Sequence, residues 1–200
     1  MFDAKLRPFI DPALNRIGRS IAALGIGADG VTLTGMAIGM AAAIAIALGH
    51  VDIGLAGILL NRLLDGLDGA VARATRLTDF GGYLDIVADF VFYAGVPLGF
   101  AIAAPANALP AAVLLASFAL TGTSFLAFAT IAAKRGIETS AHGRKSFFYN
   151  TGLAEGTETI ITFVLMCLLA EQFAMIAFIY AGLCVLTVIQ RTLNAWREFA

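Results

Sequence analysis

Charge is what this chain has least of. Only 14% of its 200 residues are charged while 60% are hydrophobic, and the mean hydropathy is +0.87. That balance excludes an ordinary soluble domain. Cysteine is almost as scarce: Cys167 and Cys184 are the two present, both inside apolar runs, where they are read as packing residues. Residues 1–20 lack an uninterrupted apolar core before a small-residue cleavage site, so no cleaved leader is expected. No internal repeat and no low-complexity tract occurs, which predicts one domain. The net charge of -1 gives no basis for a nucleic-acid partner.

What is present in quantity is long apolar sequence. Six segments approach the roughly 20 residues needed to cross a bilayer: 31–49, 52–73, 82–104, 107–133, 152–170 and 173–193. The expected fold is an all-α integral membrane protein, with six transmembrane helices (31–193) preceded by an interfacial amphipathic helix (1–24). From Asp11, read as an N-cap with Pro12 at the first helical position, Leu14, Ile17, Ile21 and Leu24 recur at helical spacing beside Arg16 and Arg19. The other reading of this segment is a cationic lead-in to the first span. Lys and Arg are absent from the short connections at His50–Asp52, Pro105–Ala106 and Glu171–Gln172, and all thirteen lie elsewhere. By the positive-inside rule both termini are expected in the cytoplasm, in the inner membrane of a bacterium. Gly35-x-x-x-Gly39 and Gly95-x-x-x-Gly99 allow close helix approach, either within the chain or in a homodimer.

Against this background residues 64–90, LDGLDGAVARATRLTDFGGYLDIVADF, carry five aspartates. If spans two and three form a hairpin turning near Leu77, Asp68 lies nine residues before the turn and Asp85 eight after it; Asp65 and Asp89 are each twelve away. Spacings of three and four put each pair on one helical face. The carboxylates are thus expected in two layers, roughly 12 and 18 Å from the turn at 1.5 Å per residue. Four uncompensated anions there would cost several kcal/mol each. Arg62 and Arg73 are read as too few, and at other helical angles. One or two divalent cations, Mg2+ or Mn2+ by the preference of hard oxygen ligands, would compensate them. A metal pair is also a recurrent apparatus for displacement at phosphorus. Gly66, Gly69, Gly81 and Gly82 would let a phosphate approach backbone, and Arg73 could sit on it. Asp79 is read as a loop residue pairing with nearby arginines.

The order Asp65-x-x-Asp68-Gly69-x-x-Ala72-Arg73, then Gly81-x-x-x-Asp85-x-x-x-Asp89, resembles the signature of the CDP-alcohol phosphatidyltransferase family. Its members displace CMP from a CDP-linked donor with an alcohol acceptor. Here seven residues separate Arg73 from Gly81, where the family usually has eight, a deletion expected to be absorbed in the loop. The resemblance implies metal ligation by Asp65, Asp68, Asp85 and Asp89, with Asp89 also the base that takes the acceptor's hydroxyl proton. It implies that Gly69, Ala72, Arg73 and Gly81 contact the cytidine diphosphate. Family chains often carry an Asn and a Thr just before span one; Asp29 stands in the Asn place, with Thr32 and Thr34 following. The expected partners are a CDP-linked lipid donor, CDP-diacylglycerol by resemblance, a small alcohol acceptor and membrane lipids. Glycerol 3-phosphate, serine, inositol or its phosphate, and choline all stay open as acceptors.

Three further groups admit two readings each. The loop KRGIETSAHGRK, Lys134 to Lys145, with Ser146 and Tyr149 nearby, either binds an acceptor phosphate or only enforces orientation against anionic lipid. Glu155 and Glu158 either face the same cavity or favour a helix N-terminus through its dipole. Arg191, among apolar neighbours, is an acceptor-site candidate, and His142 a solvated loop residue. The rival function is a divalent-cation transporter, which would also want carboxylates in membrane helices but would need polar steps to both sides.

Overall fold

A computed structural model describes residues 3–136 and 152–200 of the chain. Among them every long element is a helix: α1 (Asp3–Ala23), α2 (Ala28–Ala47), α3 (Val51–Ala74), α4 (Asp79–Ala103), α5 (Ala108–Lys134), α6 (Gly156–Leu168) and α7 (Phe173–Phe199), with single 3-10 turns at Pro105–Asn107 and Ala170–Gln172. Glycines with positive φ, +79° at Gly25 and +85° at Gly49, turn the chain after α1 and α2, where a side chain would be strained.

The expected start of α1 at Asp11 is corrected, since the helix already runs from Asp3 and takes Pro12 into its interior. Pro12 forfeits only the hydrogen bond its N–H would have made to residue 8, and the neighbouring turns continue. Asp79 is likewise corrected from loop to helix: it opens α4, behind the N-cap Thr78, whose hydroxyl accepts the Gly81 N–H at 3.0 Å. The connection from α3 to α4 is thereby reduced to four residues, 75–78, around Leu77.

Helices occupy all six expected spans. Four segments are long and apolar enough to cross a membrane: Ala28–Ala47, Asp79–Ala103, Pro105–Lys134 and Ala170–Phe199. In the last three, 33% of the apolar window is buried within the chain, so most of these apolar faces point outward, as lipid solvation demands. Span two is a 24-residue helix whose charges keep it below that apolar standard. Span five is shortened to the 13 residues of α6. Its expected first turn is instead non-helical: Thr187 Oγ1 accepts the N–H groups of Leu153 and Ala154 at 3.1 and 2.9 Å, and the Glu155 carboxylate accepts that of Gly152 at 2.8 Å. Away from water, irregular backbone persists only when its polar groups are satisfied in this way.

Helix α2 packs on both α3 and α4, α5 packs on α7, and α1 lies against α3. A Cβ on Gly35 would press on Leu64, one on Gly39 on Phe92 and Asn61, one on Gly95 on Ala43 and Met40, and one on Gly99 on Ala43 and Ile46. Both glycine stripes are therefore occupied by contacts within the chain. Between α4, α5, α6 and α7 the core is aromatic, with Phe92, Phe118, Phe163 and Tyr180 packed edge to face or tilted and Phe100 stacked on Phe173 at 4.6 Å.

Candidate active site

The second half of α3 and the first half of α4 deliver the acidic residues to one place. A carboxylate oxygen from each of Asp65, Asp68 and Asp85 lies within 4.8 Å of the others. Asp68 is buried, Asp65 half-buried and Asp85 exposed. The two-layer expectation is corrected in part: Asp65, one turn from Asp68, reaches the Asp68–Asp85 level. Asp89, a further turn along α4, stands outside this trio and half-buried. It lines a cavity of about 560 Å³ that the trio also borders.

Two of the carboxylates are oriented by a neighbour's side chain, Asp68 from α2 and Asp65 from within α3. Thr32 on α2 donates to Asp68 Oδ2 at 2.7 Å. Arg62 forms an ion pair with Asp65, correcting the reading that it sits at another helical angle, because three residues is one turn and brings them together. Beside them, buried Asn61 donates to the Gly35 carbonyl at 2.9 Å and ties α3 to α2 below the acidic trio. Of the two threonines near the start of α2, Thr32 reaches the site, whereas Thr34 bonds back to the Gly30 carbonyl on an exposed face.

The glycines and Arg73 line the same cavity. A Cβ at Gly69 would lie 3.2 Å from an Arg73 guanidinium nitrogen, so the missing side chain leaves room for Arg73 to lie close along α3. Arg73 donates from Nε and NH2 to Asn15 Oδ1 on α1, at 3.2 and 2.9 Å. At the head of α4, a Cβ on Gly81 would lie 3.3 Å from the Asp29 carboxylate, which places Asp29 at the cavity rim. Ala72 is half-buried and lines the wall.

The far side of the cavity is built by α5, α6 and α7. Arg191, buried, donates to the Thr121 carbonyl at 2.9 Å and to Ser124 Oγ at 3.4 Å, with its guanidinium 5.5 Å from the Phe125 ring centre. Glu155 is the buried N-cap residue of α6 and lines the cavity; Glu158 lies in the first turn of α6, where the helix dipole favours it. Tyr180 and Thr159 share a hydroxyl–hydroxyl bond of 2.8 Å at the same wall. Residues 137–151, including His142, Arg144, Lys145, Ser146 and Tyr149, lie outside the described residues.

Sequence reasoning did not find Asn15, Asn61 or Thr121. Arg62 had a signal, its position one turn before Asp65; Asn15 and Thr121 had none, being 58 and 70 residues from the arginines they hold. Chemically, three convergent carboxylates form an all-oxygen donor set that fits one or two hard divalent cations better than any softer metal. The arginine on each side of the cavity suits anionic ligands.

A family model described as CDP-alcohol phosphatidyltransferase matches residues 26–190. The inner membrane protein YnjF of Escherichia coli (strain K12) is 51% identical over 197 residues, 98% of this chain and 96% of that one. The archaetidylinositol phosphate synthase of Pyrococcus horikoshii is 39% identical over 102 residues, 50% of this chain and 53% of that enzyme. Among solved structures, Mycobacterium tuberculosis phosphatidylinositol phosphate synthase (PgsA1) with CDP-DAG bound superposes with a TM-score of 0.73 at 21% identity, over 92% of this chain and 93% of that one. A second structure of that enzyme, with manganese and citrate, gives 0.71 at 22% identity, over 92% and 88%. At such identity these two structures establish the fold alone.

Proposed function

The chain belongs to the CDP-alcohol phosphatidyltransferase family, integral membrane transferases of substituted phosphate groups, and from that premise we propose that it displaces CMP from CDP-diacylglycerol with a small alcohol. The observation that carries this reading is the convergence of Asp65, Asp68 and Asp85 beside Asp89 in one cavity walled by Gly69, Arg73 and Gly81. Support for a CDP-lipid donor comes from the solved relative that holds CDP-DAG, and support for Mg2+ or Mn2+ from the manganese complex of the same enzyme. The relatives' names, two of them inositol phosphate lipid synthases, and the buried guanidinium of Arg191 favour an acceptor that bears a phosphate. The same membership favours transfer over the cation transporter.

In this reading Asp65, Asp68 and Asp85 would hold the ion or ions, and Asp89 would be the further ligand. Bound there, the metal supplies positive charge that neutralises the diphosphate and its departing CMP. Thr32 keeps an Asp68 oxygen turned toward the trio, and Arg62 shields Asp65 from its neighbours. Arg73 takes the diphosphate by charge-assisted hydrogen bonds, and the backbone at Gly69, Ala72 and Gly81 lets the cytidine lie close. Asp89 removes the acceptor's hydroxyl proton as that oxygen forms its bond to the phosphorus bearing the diacylglycerol. The bond from that phosphorus to the bridging oxygen breaks, and CMP leaves with the electron pair. Arg191 holds the acceptor's phosphate across the cavity and so aims its hydroxyl.

Six spans, a single domain over residues 1–200, α1 lying on the leaflet, and termini and site on the cytoplasmic side complete the proposal. The cations in the last turns of α3, α5 and α7 support that orientation, and the apolar exterior of α2, α4, α5 and α7 supports spanning. Purified protein given CDP-diacylglycerol, Mn2+ and each acceptor in turn provides the test. CMP release is expected with inositol phosphate or glycerol 3-phosphate and not with serine or choline. Release with no acceptor at all would defeat the reading.

A further inference from the structure

Arg73 ends α3 on an exposed turn, and a long side chain there would ordinarily sample many rotamers. Two features remove that freedom. Gly69, one turn back, leaves an empty strip along which the guanidinium lies. The Asn15 side-chain oxygen, from a different helix, then accepts two of its five N–H groups, at 3.2 and 2.9 Å. Helix α1 is itself seated closely enough for this to be a fixed contact. A Cβ on Gly18 would lie 2.7 Å from Ala70 Cβ, and one on Gly66 would lie 2.9 Å from Leu14 Cδ1. Leu14, Ile21 and Ala22 pack against the buried Val31, Leu67 and Val71. One turn before Leu14 on the same helix, Ile10 and Asp11 line the cavity beside Arg73.

From this we infer that Asn15 is a positioning residue for donor binding: α1 forms a wall of the donor site and holds Arg73 with its remaining N–H groups toward the diphosphate. The inference rests on the proposed role of Arg73 and adds to it that the site is incomplete until α1 is docked. Because Asn15 touches neither the reacting phosphorus nor the acceptor, its loss affects donor affinity and leaves the acidic residues as they are. By linkage, a bound donor strengthens the docking of α1 by the same factor that docking strengthens donor binding.

The experiment compares Asn15→Ala, Asn15→Gln, Arg73→Ala and the Asn15→Ala/Arg73→Ala double variant in the full chain. It reads calorimetric binding of CDP in the presence of Mn2+, and KM and kcat for CDP-diacylglycerol in mixed micelles. Asn15→Ala is expected to weaken CDP and raise the donor KM about tenfold with kcat held within about twofold. Asn15→Gln, which keeps an amide oxygen within reach, recovers most of that loss. The double variant binds no worse than Arg73→Ala alone, the mark of two residues acting as one unit. Unchanged CDP affinity in Asn15→Ala alongside a weakened Arg73→Ala overturns the role of Asn15 and leaves that of Arg73 standing. Unchanged affinity in both overturns both. Should Asn15→Ala not fold, Asn15→Gln and Gly18→Val carry the comparison, since Gly18→Val unseats α1 without touching either polar residue. Retention of full CDP affinity by Gly18→Val would sink the inference.

Discussion

Helices α2, α3 and α4 meet through side chains that are missing, whereas α4 to α7 meet through side chains that are large. In the first region Gly35, Gly39, Gly95 and Gly99 bring backbones together, and Asn61 fastens the seam with one hydrogen bond to the Gly35 carbonyl. In the second, rings of Phe118, Phe163 and Tyr180 fill the space, and hydroxyls of Thr187, Thr159 and Tyr180 satisfy a break in the helical backbone. Close backbone contact leaves little slack, which suits residues that must hold carboxylate oxygens within 4.8 Å of one another. The aromatic region and its irregular segment form the opposite wall of the cavity, apart from the acidic trio. The proposed function puts its chemistry in the first region and its acceptor site in the second.

Substitutions should separate the two regions cleanly. The largest effect is expected for Asp89→Asn, with CMP release down about a thousandfold or more while the thermal transition is kept; unchanged turnover would remove Asp89 from the mechanism. Stripping divalent ions with a chelator should abolish release in the wild type, and Mn2+ or Mg2+ should restore it, as scored by the same assay. On the other side of the cavity, Arg191→Ala should raise the acceptor KM about tenfold to a hundredfold with the donor KM unchanged. A rise in the donor KM alone would collapse the division between the regions. For stability, Gly99→Leu drives a side chain into the Ala43 backbone and should cost about 3 kcal/mol or more, seen as a lower melting temperature. Tyr180→Phe removes the hydroxyl's bond to Thr159 and its longer one to the Glu155 carbonyl, and should cost about 1 kcal/mol by the same measurement.

The same contrast explains what the sequence made legible. Asp68 and Asp85 are legible as facing residues because helical spacing and a short hairpin fix their relative positions, whereas the same counting puts Asp65 in a separate layer with Asp89, although it joins the Asp68–Asp85 level. Even there Arg62 was misjudged, since three residues is a short enough step to bring its long side chain onto Asp65. The start of α1 was misjudged because a proline was read as a beginning when one lost hydrogen bond inside a helix is tolerable. The non-helical segment before α6 gave no warning, because what stabilises it is Thr187, more than thirty residues downstream on another helix. Asn15 and Thr121 escaped for the same reason: each acts on an arginine brought to it only by packing of helices far apart in sequence.

Anomalous diffraction from crystals of the purified protein grown with Mn2+ tests the central claim most directly. A manganese peak bonded to oxygens of Asp65, Asp68 and Asp85, with Asp89 beside it in the cavity, is the result expected. Carboxylates that stay metal-free at saturating Mn2+, or a peak held by other residues, would contradict it.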